Sequence, residues 1–263
     1  MSTPELVALD IDGTLLDPDT QTISPVVRDA VARVLASGAE LVVSTGRTFL
    51  GTKPILDELE LAGGYALCSN GAVLVDVAGR EPLSVTTFDA SPVLAELTDR
   101  LPGSIFATER VGVGRLVTAE FDPTKLHGPQ RPSTPQELVA TPVPRLIAEW
   151  SGHEPEELIA ALDGVRLLDC TYTLDQYQPW VTVVSAGVSK GAALEKLRVE
   201  LGVRRELTFA AGDGDNDIEM LRWAAHGVAM GQARPEVHAA ADEVTGPVTE
   251  DGLAGVLHRL FGR

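Results

Sequence analysis

Cysteine is scarce in this chain. Cys68 and Cys170 are its only two cysteines and no CxxC spacing joins them, which fits buried thiols in a reducing cytoplasm rather than a disulfide scaffold. Positive charge is short as well: 21 Lys and Arg stand against 38 Asp and Glu, a formal net charge of -17. Such a chain repels nucleic acid and anionic lipid surfaces, so neither is an expected partner. No apolar run approaches the roughly 18 residues of a membrane span. The opening residues, Met1-Ser2-Thr3-Pro4-Glu5, carry no basic segment, and the first apolar run is too short for a secretory signal. A cytoplasmic protein is expected. The five histidines (His127, His153, His226, His238 and His258) are scattered, without the HExxH or Cys/His spacing of a zinc site. Internal repeats and low-complexity tracts are missing too.

What is present is material for a core: 263 residues, 44% of them hydrophobic, enough for one large or two modest globular domains. The stretch Glu5-Leu6-Val7-Ala8-Leu9-Asp10-Ile11-Asp12-Gly13-Thr14-Leu15 organises the rest. Leu6 to Leu9 form a short apolar run, as in a central parallel strand covered on both faces, and the run stops at a charge. Strand alternation would project Asp10 and Asp12 the same way from its end, and Gly13 lets the backbone turn there. Two crowded carboxylates repel, so a cation or a shared proton must relieve them, and magnesium is the candidate cation. The same letters also suit an Asp-rich turn. A calcium loop starting at Asp10 fails, because Leu15 and Gln21 stand where Gly and Glu are required.

Strands and helices then alternate. Ser24-Pro25 has the form of a helix N-cap and first turn, with Gly38 at the helix end. A strand over 40–44 ends in Thr45-Gly46-Arg47, a helix runs to about 61, and a strand covers 65–68. The Asn70-Gly71 turn follows, then a hairpin pairing 73–75 with 83–85. From 84 to 186 the grammar changes: a helix from Ser91-Pro92, strands over 105–108 and 115–119, a Pro-rich loop over 122–135, a further helix, a strand over 145–150, a helix over 154–162 and strands to about 185. Segregated elements of this kind predict a small α+β domain with an antiparallel sheet, inserted into the first. Alternation resumes at Val188-Ser189-Lys190-Gly191, with a helix to 201, a strand over 207–211, a helix over 217–225, a strand over 228–230 and helices over 235–241 and 253–261. The expected fold is α/β: a doubly wound parallel-sheet core over 1–83 and 187–263, and an inserted α+β domain over 84–186. In such sheets, sites lie at the carboxyl ends of strands.

A second acidic cluster, Gly212-Asp213-Gly214-Asp215-Asn216-Asp217, stands where a strand gives way to a helix. It is not a calcium loop, since Ile218 and Ala224 occupy the Gly and Glu positions, nor a dinucleotide fingerprint, since Asp217 stands where the third Gly belongs. Asp213 joining Asp10 and Asp12 would complete a hard-oxygen magnesium site with positions left for water and phosphate oxygens. Lys190 begins a helix, the unfavourable end of the dipole for a cation, which points to function although a surface lysine is the commoner case. Thr45-Gly46 offers a hydroxyl and a backbone N–H at a helix mouth, a phosphate-binding arrangement. Arg47 would bind phosphate or brace the acids by an ion pair, and bracing is favoured. If the substrate is an anion, its attraction must be local, because the chain as a whole repels it.

Five motifs in this order, Asp10-Ile11-Asp12-Gly13-Thr14, Ser44-Thr45-Gly46-Arg47, Asn70-Gly71-Ala72, Gly187-Val188-Ser189-Lys190-Gly191 and Gly212-Asp213-Gly214-Asp215-Asn216-Asp217, resemble the haloacid dehalogenase superfamily. With Val228-Ala229-Met230-Gly231, Ala241-Asp242 and Glu250-Asp251-Gly252, they are similar to its Cof-type phosphatases (subclass IIB), and the insertion resembles the type C2 cap. The resemblance implies Asp10 as nucleophile and Asp12 as general acid and base. It implies magnesium on the Asp10 and Asp213 carboxylates and the Asp12 main-chain carbonyl. Thr45, Lys190, Asn216 and the amides of Ile11 and Gly46 would hold the phosphoryl oxygens, with Arg47, Asn70 and Asp217 in support, Asp217 reaching the metal through water or pairing with Lys190. The family carries Asn where Gln232 stands here, which leaves the chemistry intact and bears on the packing of that loop. Arg110, Arg115, His127 and Tyr177 are candidate substrate contacts in the insertion, although for each a solvated surface position is the commoner case.

The expected function is a magnesium-dependent phosphatase for small phosphorylated metabolites, sugar phosphates foremost, working through an aspartyl-phosphate as a monomer or small homo-oligomer. A phosphotransferase or phosphomutase of the same superfamily is the alternative. A non-catalytic phospho-accepting switch is disfavoured, because a lasting phospho-aspartate gains nothing from a neighbouring general base and needs no hundred-residue lid.

Overall fold

The computed structural model describes residues 3–123, 126, 128–167, 169–175 and 178–262. β1 (Leu6–Leu9) is buried throughout. α1 (Pro25–Ala36) starts where the Ser24 hydroxyl accepts the Val27 N–H and Pro25 occupies the first turn. Then come β2 (Glu40–Ser44), α2 (Phe49–Glu58), β3 (Tyr65–Cys68), β4 (Val73–Asp76) and β5 (Glu81–Val85). The middle of the chain supplies α3 (Ser91–Arg100), β6 (Ile105–Arg110), β7 (Gly114–Val117), β8 (Gln130–Pro132), α4 (Pro135–Leu138), β9 (Leu146–Glu149), α5 (Pro155–Leu162), β10 (Cys170–Leu174) and β11 (Trp180–Ser185). It closes with α6 (Lys190–Glu200), β12 (Thr208–Gly212), α7 (Ile218–Trp223), β13 (His226–Ala229), α8 (Pro235–His238), β14 (Glu243–Val244) and α9 (Gly252–Phe261). No described helix is long and apolar enough to cross a membrane.

These elements fall into two compact units, one of Met1–Gly46, Thr52–Leu83 and Ser189–Arg263, the other of Arg47–Gly51 and Ser84–Val188. The first contains an eight-stranded sheet in the order β14-β13-β12-β1-β2-β3-β4-β5. It is parallel from β14 to β3, with β4 antiparallel to β3. β1 is central: β2 to β5, which follow it directly, lie to one side and β12 to β14, from the end of the chain, to the other, which makes its carboxyl end the switch point where α/β sheets place ligands. Leu6 and Ala8 pack into a core with Leu194, Leu197, Met220 and Leu221 from α6 and α7, each buried leucine contributing about 1.5–3 kcal/mol.

The second unit holds a six-stranded sheet in the order β10-β11-β9-β6-β7-β8. Its core includes Val93, Leu97, Phe106, Leu116, Leu146 and Val181. The antiparallel expectation holds for every pair but one, since β8 lies parallel to β7 inside the stretch expected as a Pro-rich loop. β8 is an edge strand ending at Pro132, and an edge position is where a strand tolerates the missing N–H. The helix expected from 217 starts one residue later, because Asp215–Asp217 closes as a tight 3-10 turn, and it ends at Trp223, where Ala224 turns extended.

Candidate active site

Register alone brings the two acidic motifs together. β1 pairs with β12 so that Leu9 lies opposite Ala211, and the Asp10 N–H continues the ladder to the Ala211 carbonyl at 3.0 Å. Asp10 and Asp213 therefore leave neighbouring strand ends. On the other side, Leu9 lies opposite Val43 of β2, so the chain reaches Thr45 just past the same edge. The Asn70 N–H bonds the Thr45 carbonyl at 3.0 Å, which brings the turn after β3 to that edge as well.

The alternation expected of Asp10 and Asp12 does not hold. β1 ends at Leu9, so both acids belong to the turn, where the Ile11 carbonyl accepts from Thr14, Leu15 and Leu16. Ile11 and Asp10 are buried while Asp12 is exposed. Tight turning, rather than strand pleat, sets their directions. Gly13 has φ +81, and a Cβ there would lie 2.1 Å from Asp213 Oδ2, so only glycine allows the two motifs to approach so closely.

Lys190 is the centre of the arrangement. It is 0% exposed, and its Nζ donates to Asp10 Oδ1 and to Asp217 Oδ1 at 2.6 Å each, so it is not a surface lysine. The Ser189 hydroxyl caps α6 by accepting the Ala192 N–H, which holds Lys190 at the first position of the helix. Asp217 is fixed in turn, its Oδ2 accepting the N–H groups of Asp213 and Gly214 at 3.0 and 2.9 Å.

Burial, then the nearby Asp217, raises Asp10 well above the usual carboxylate range, against the pull of Lys190. Asp213 rises to about 7, chiefly through burial and Asp217, with the Gln232 hydrogen bond working against the rise. Burial would lower Lys190, but Asp10 and Asp217 outweigh it and its value is raised. Three acids facing one lysine remain short of positive charge. One carboxylate oxygen from each of Asp10, Asp213 and Asp217 lies within 4.8 Å of the others, a hard-oxygen set that fits a divalent cation such as magnesium. The Asp12 carboxylate is not in this set and Asp217 is.

Beside the acids, Asn216 donates to Asn70 Oδ1 at 3.0 Å. A Cβ on Gly46 would lie 3.2 Å from that same oxygen, so Gly46, Asn70 and Asn216 converge. Thr45 is fully buried. Arg47 groups with the inserted unit.

Three partners were not visible in the sequence pattern. Thr14 donates to Asp213 Oδ1 at 3.4 Å, and Arg234 pairs with Asp215 at 2.9 Å. Gln232, noted only as a departure, donates to the Gly13 carbonyl at 2.6 Å and to Asp213 Oδ2 at 3.2 Å while accepting the Val248 N–H at 3.0 Å. The longer side chain thus ties its loop to both acidic motifs. Of the contacts suggested in the insertion, Arg115 is buried, Arg110 bonds Thr141 at 2.6 Å, and His127 and Tyr177 lie outside the described residues.

Residues 7–100 and 154–257 match the family of haloacid dehalogenase-like hydrolases. A candidate phosphatase of Bacillus subtilis is 31% identical over 97% of this chain and 98% of its own. The pyridoxal phosphate phosphatase of Escherichia coli is 29% identical, over 97% of this chain and 98% of its own. Among solved structures, a sugar phosphatase of haloacid dehalogenase subclass IIB matches with a TM-score of 0.80 at 26% identity, covering 98% of this chain and 99% of that one.

Proposed function

Because the chain belongs to the haloacid dehalogenase-like hydrolases, we propose that it is a magnesium-dependent phosphatase releasing phosphate from small phosphorylated metabolites, sugar phosphates foremost, through an aspartyl-phosphate. One observation carries the reading: a fully buried lysine grips Asp10 and Asp217 at the switch point of a parallel sheet, with Asp213 in reach. The names of relatives that act on pyridoxal phosphate and sugar phosphates support the substrate class. Both cysteines lack a disulfide among the described residues, which supports a cytoplasmic setting.

Asp10 attacks phosphorus in line, with Lys190 holding one of its oxygens and thereby orienting the other. As the P–O ester bond breaks, exposed Asp12 gives its proton to the leaving alcohol, then takes a proton from the water that attacks the aspartyl-phosphate. That second attack returns the Asp10 carboxylate and inorganic phosphate. Thr45, the Ile11 and Gly46 amides, Lys190 and Asn216 hold the phosphoryl oxygens. Asn70 orients Asn216, Asp217 fixes Lys190, and Arg47 braces the site. The Asp10 and Asp213 carboxylates and the Asp12 carbonyl, with Asp217 beside them, would hold magnesium, which would supply positive charge against the phosphoryl oxygens. The inserted unit is the cap that selects the substrate.

The test is phosphate release from a panel of phosphorylated metabolites, with magnesium and with EDTA, for wild type and Asp10→Asn. Release should require magnesium and fall by about four orders of magnitude or more in the variant. Appreciable turnover by Asp10→Asn would remove Asp10 as nucleophile. Isomerised sugar phosphate without free phosphate would make the protein a phosphomutase.

A further inference from the structure

The loop between β13 and α8 grips the second acidic motif at two points. Gln232 holds its beginning, at Asp213. Arg234 holds its middle: Nη1 donates to Asp215 Oδ2 at 2.9 Å, while Nη2 lies 3.6 Å from Glu236. The loop that carries both is itself fixed. The Gly231 N–H bonds the Gly246 carbonyl at 3.1 Å, and a Cβ on Gly231 would come within 2.8 Å of the Thr245 carbonyl oxygen, so backbone packs on backbone there. Pro235 then keeps Arg234 extended, at φ -68 and ψ 157, because the ring disfavours the helical region for the residue before it.

Asp215 needs that grip. Its Oδ1 is buried without a hydrogen-bond partner among the described residues, and a carboxylate oxygen taken out of water in this way is unfavourable unless a charge of opposite sign stands by. Arg234 is that charge. Asp215 opens the 3-10 turn Asp215–Asp217, which the Asp217 N–H closes on the Gly214 carbonyl at 2.9 Å. Next in the turn is Asn216, which donates to Asn70 Oδ1. A carboxylate released by Arg234 would turn to water and take its neighbour with it.

We infer that Arg234 is a positioning residue, which by holding Asp215 fixes the turn that aims Asn216 at the phosphoryl group, a role that rests on the phosphatase reading for what Asn216 meets. Arg234 itself need not touch the substrate. The loop then serves the two sides of the site separately, Gln232 the metal side through Asp213 and Arg234 the phosphate side through Asp215.

Inorganic phosphate is the probe, and its affinity for the magnesium-loaded protein is read by calorimetry and by competitive inhibition of p-nitrophenyl phosphate hydrolysis. Arg234→Gln should weaken it by about threefold to fivefold, the most that a pair with side chains 42% and 35% exposed supplies. Arg234→Lys should recover part of the loss. Magnesium affinity, measured without phosphate, should stay as in wild type. In an Asp215→Ala background, Arg234→Gln should change phosphate affinity little, since the contact is already gone. Full weakening in that background would mean that Arg234 attracts phosphate by its charge alone, and wild-type affinity in Arg234→Gln would mean that it holds nothing. Either result overturns the positioning role, as does a fall in magnesium affinity as large as that in phosphate affinity. If wild type shows neither phosphate binding nor hydrolysis, the phosphatase reading fails, and amide hydrogen exchange decides on Arg234 by itself. Its loss should speed exchange at the Asp217 N–H that closes the turn, and unchanged exchange refutes the role.

Discussion

The two units bury charge in different arrangements. In the first, Asp10, Asp213 and Asp217 surround one lysine; in the second, Arg115 and Arg145 flank one glutamate. In the first the carboxylates outnumber their lysine, an arrangement that fits a cation, whereas in the second Arg145 and Glu109 pair with each other. This also answers the difficulty raised by a net charge of -17. A chain that repels anions at long range needs local attraction at short range, and buried charges supply it because solvent ions screen them least.

Removing the lysine breaks the comparison most severely. In Lys190→Met two buried carboxylates lose their cation, and stability should fall by about 3–5 kcal/mol, read from chemical denaturation. Phosphate release should drop at least about tenfold, on the order of 1.4 kcal/mol of transition-state stabilisation. Wild-type stability and rate together would show that Lys190 compensates nothing.

A smaller effect belongs to Gln232, which donates to Asp213 and to the Gly13 carbonyl. Residues that orient a metal ligand typically set affinity within a range of about 10–100-fold, so Gln232→Ala should weaken magnesium binding by about tenfold. Calorimetry on the purified protein reads it, and unchanged affinity would reduce Gln232 to a loop tether. Gln232→Asn, with its shorter reach, should recover only part.

Much of this was legible before any coordinates. The apolar runs at Leu6–Leu9 and Glu40–Ser44 are short and end at polar residues, which is what strands feeding a site at the sheet edge require. Asp213 was legible for the same reason. What escaped depends on pairing between distant segments. That Glu109 faces Arg115 follows from the register of β6 and β7, and Arg145 joins them from a third strand end, a juxtaposition that no local spacing carries. The partners of Gln232 lie 16, 19 and 219 positions away. That Asp10 and Asp12 leave β1 in a turn rather than along the pleat was hidden because the strand periodicity extends past Leu9, where the strand ends. β8 was hidden because Pro132 reads as a breaker unless its edge position is known.

The smallest effect is also the most selective between the two clusters. Asp213 is raised from its ordinary 3.8 to about 7, so the metal-free folded protein binds this proton more tightly than the unfolded chain does. Its contribution to stability is present in acid and is lost as pH rises from about 4 through about 7, a negative slope. Asp10, also raised, adds to the slope in the same direction. Arg115, lowered to about 9, is charged in folded and unfolded states alike across that window and contributes no slope there. Thermal melting of EDTA-treated protein between pH 5 and pH 8 should therefore show a decline that Asp213→Asn flattens and Arg115→Gln leaves in place. Magnesium should stabilise the protein more at pH 8 than at pH 5, because at the lower pH protons compete for the same carboxylates. A decline that persists in Asp213→Asn would place the titration elsewhere, and equal magnesium stabilisation at both pH values would separate the cation from these acids.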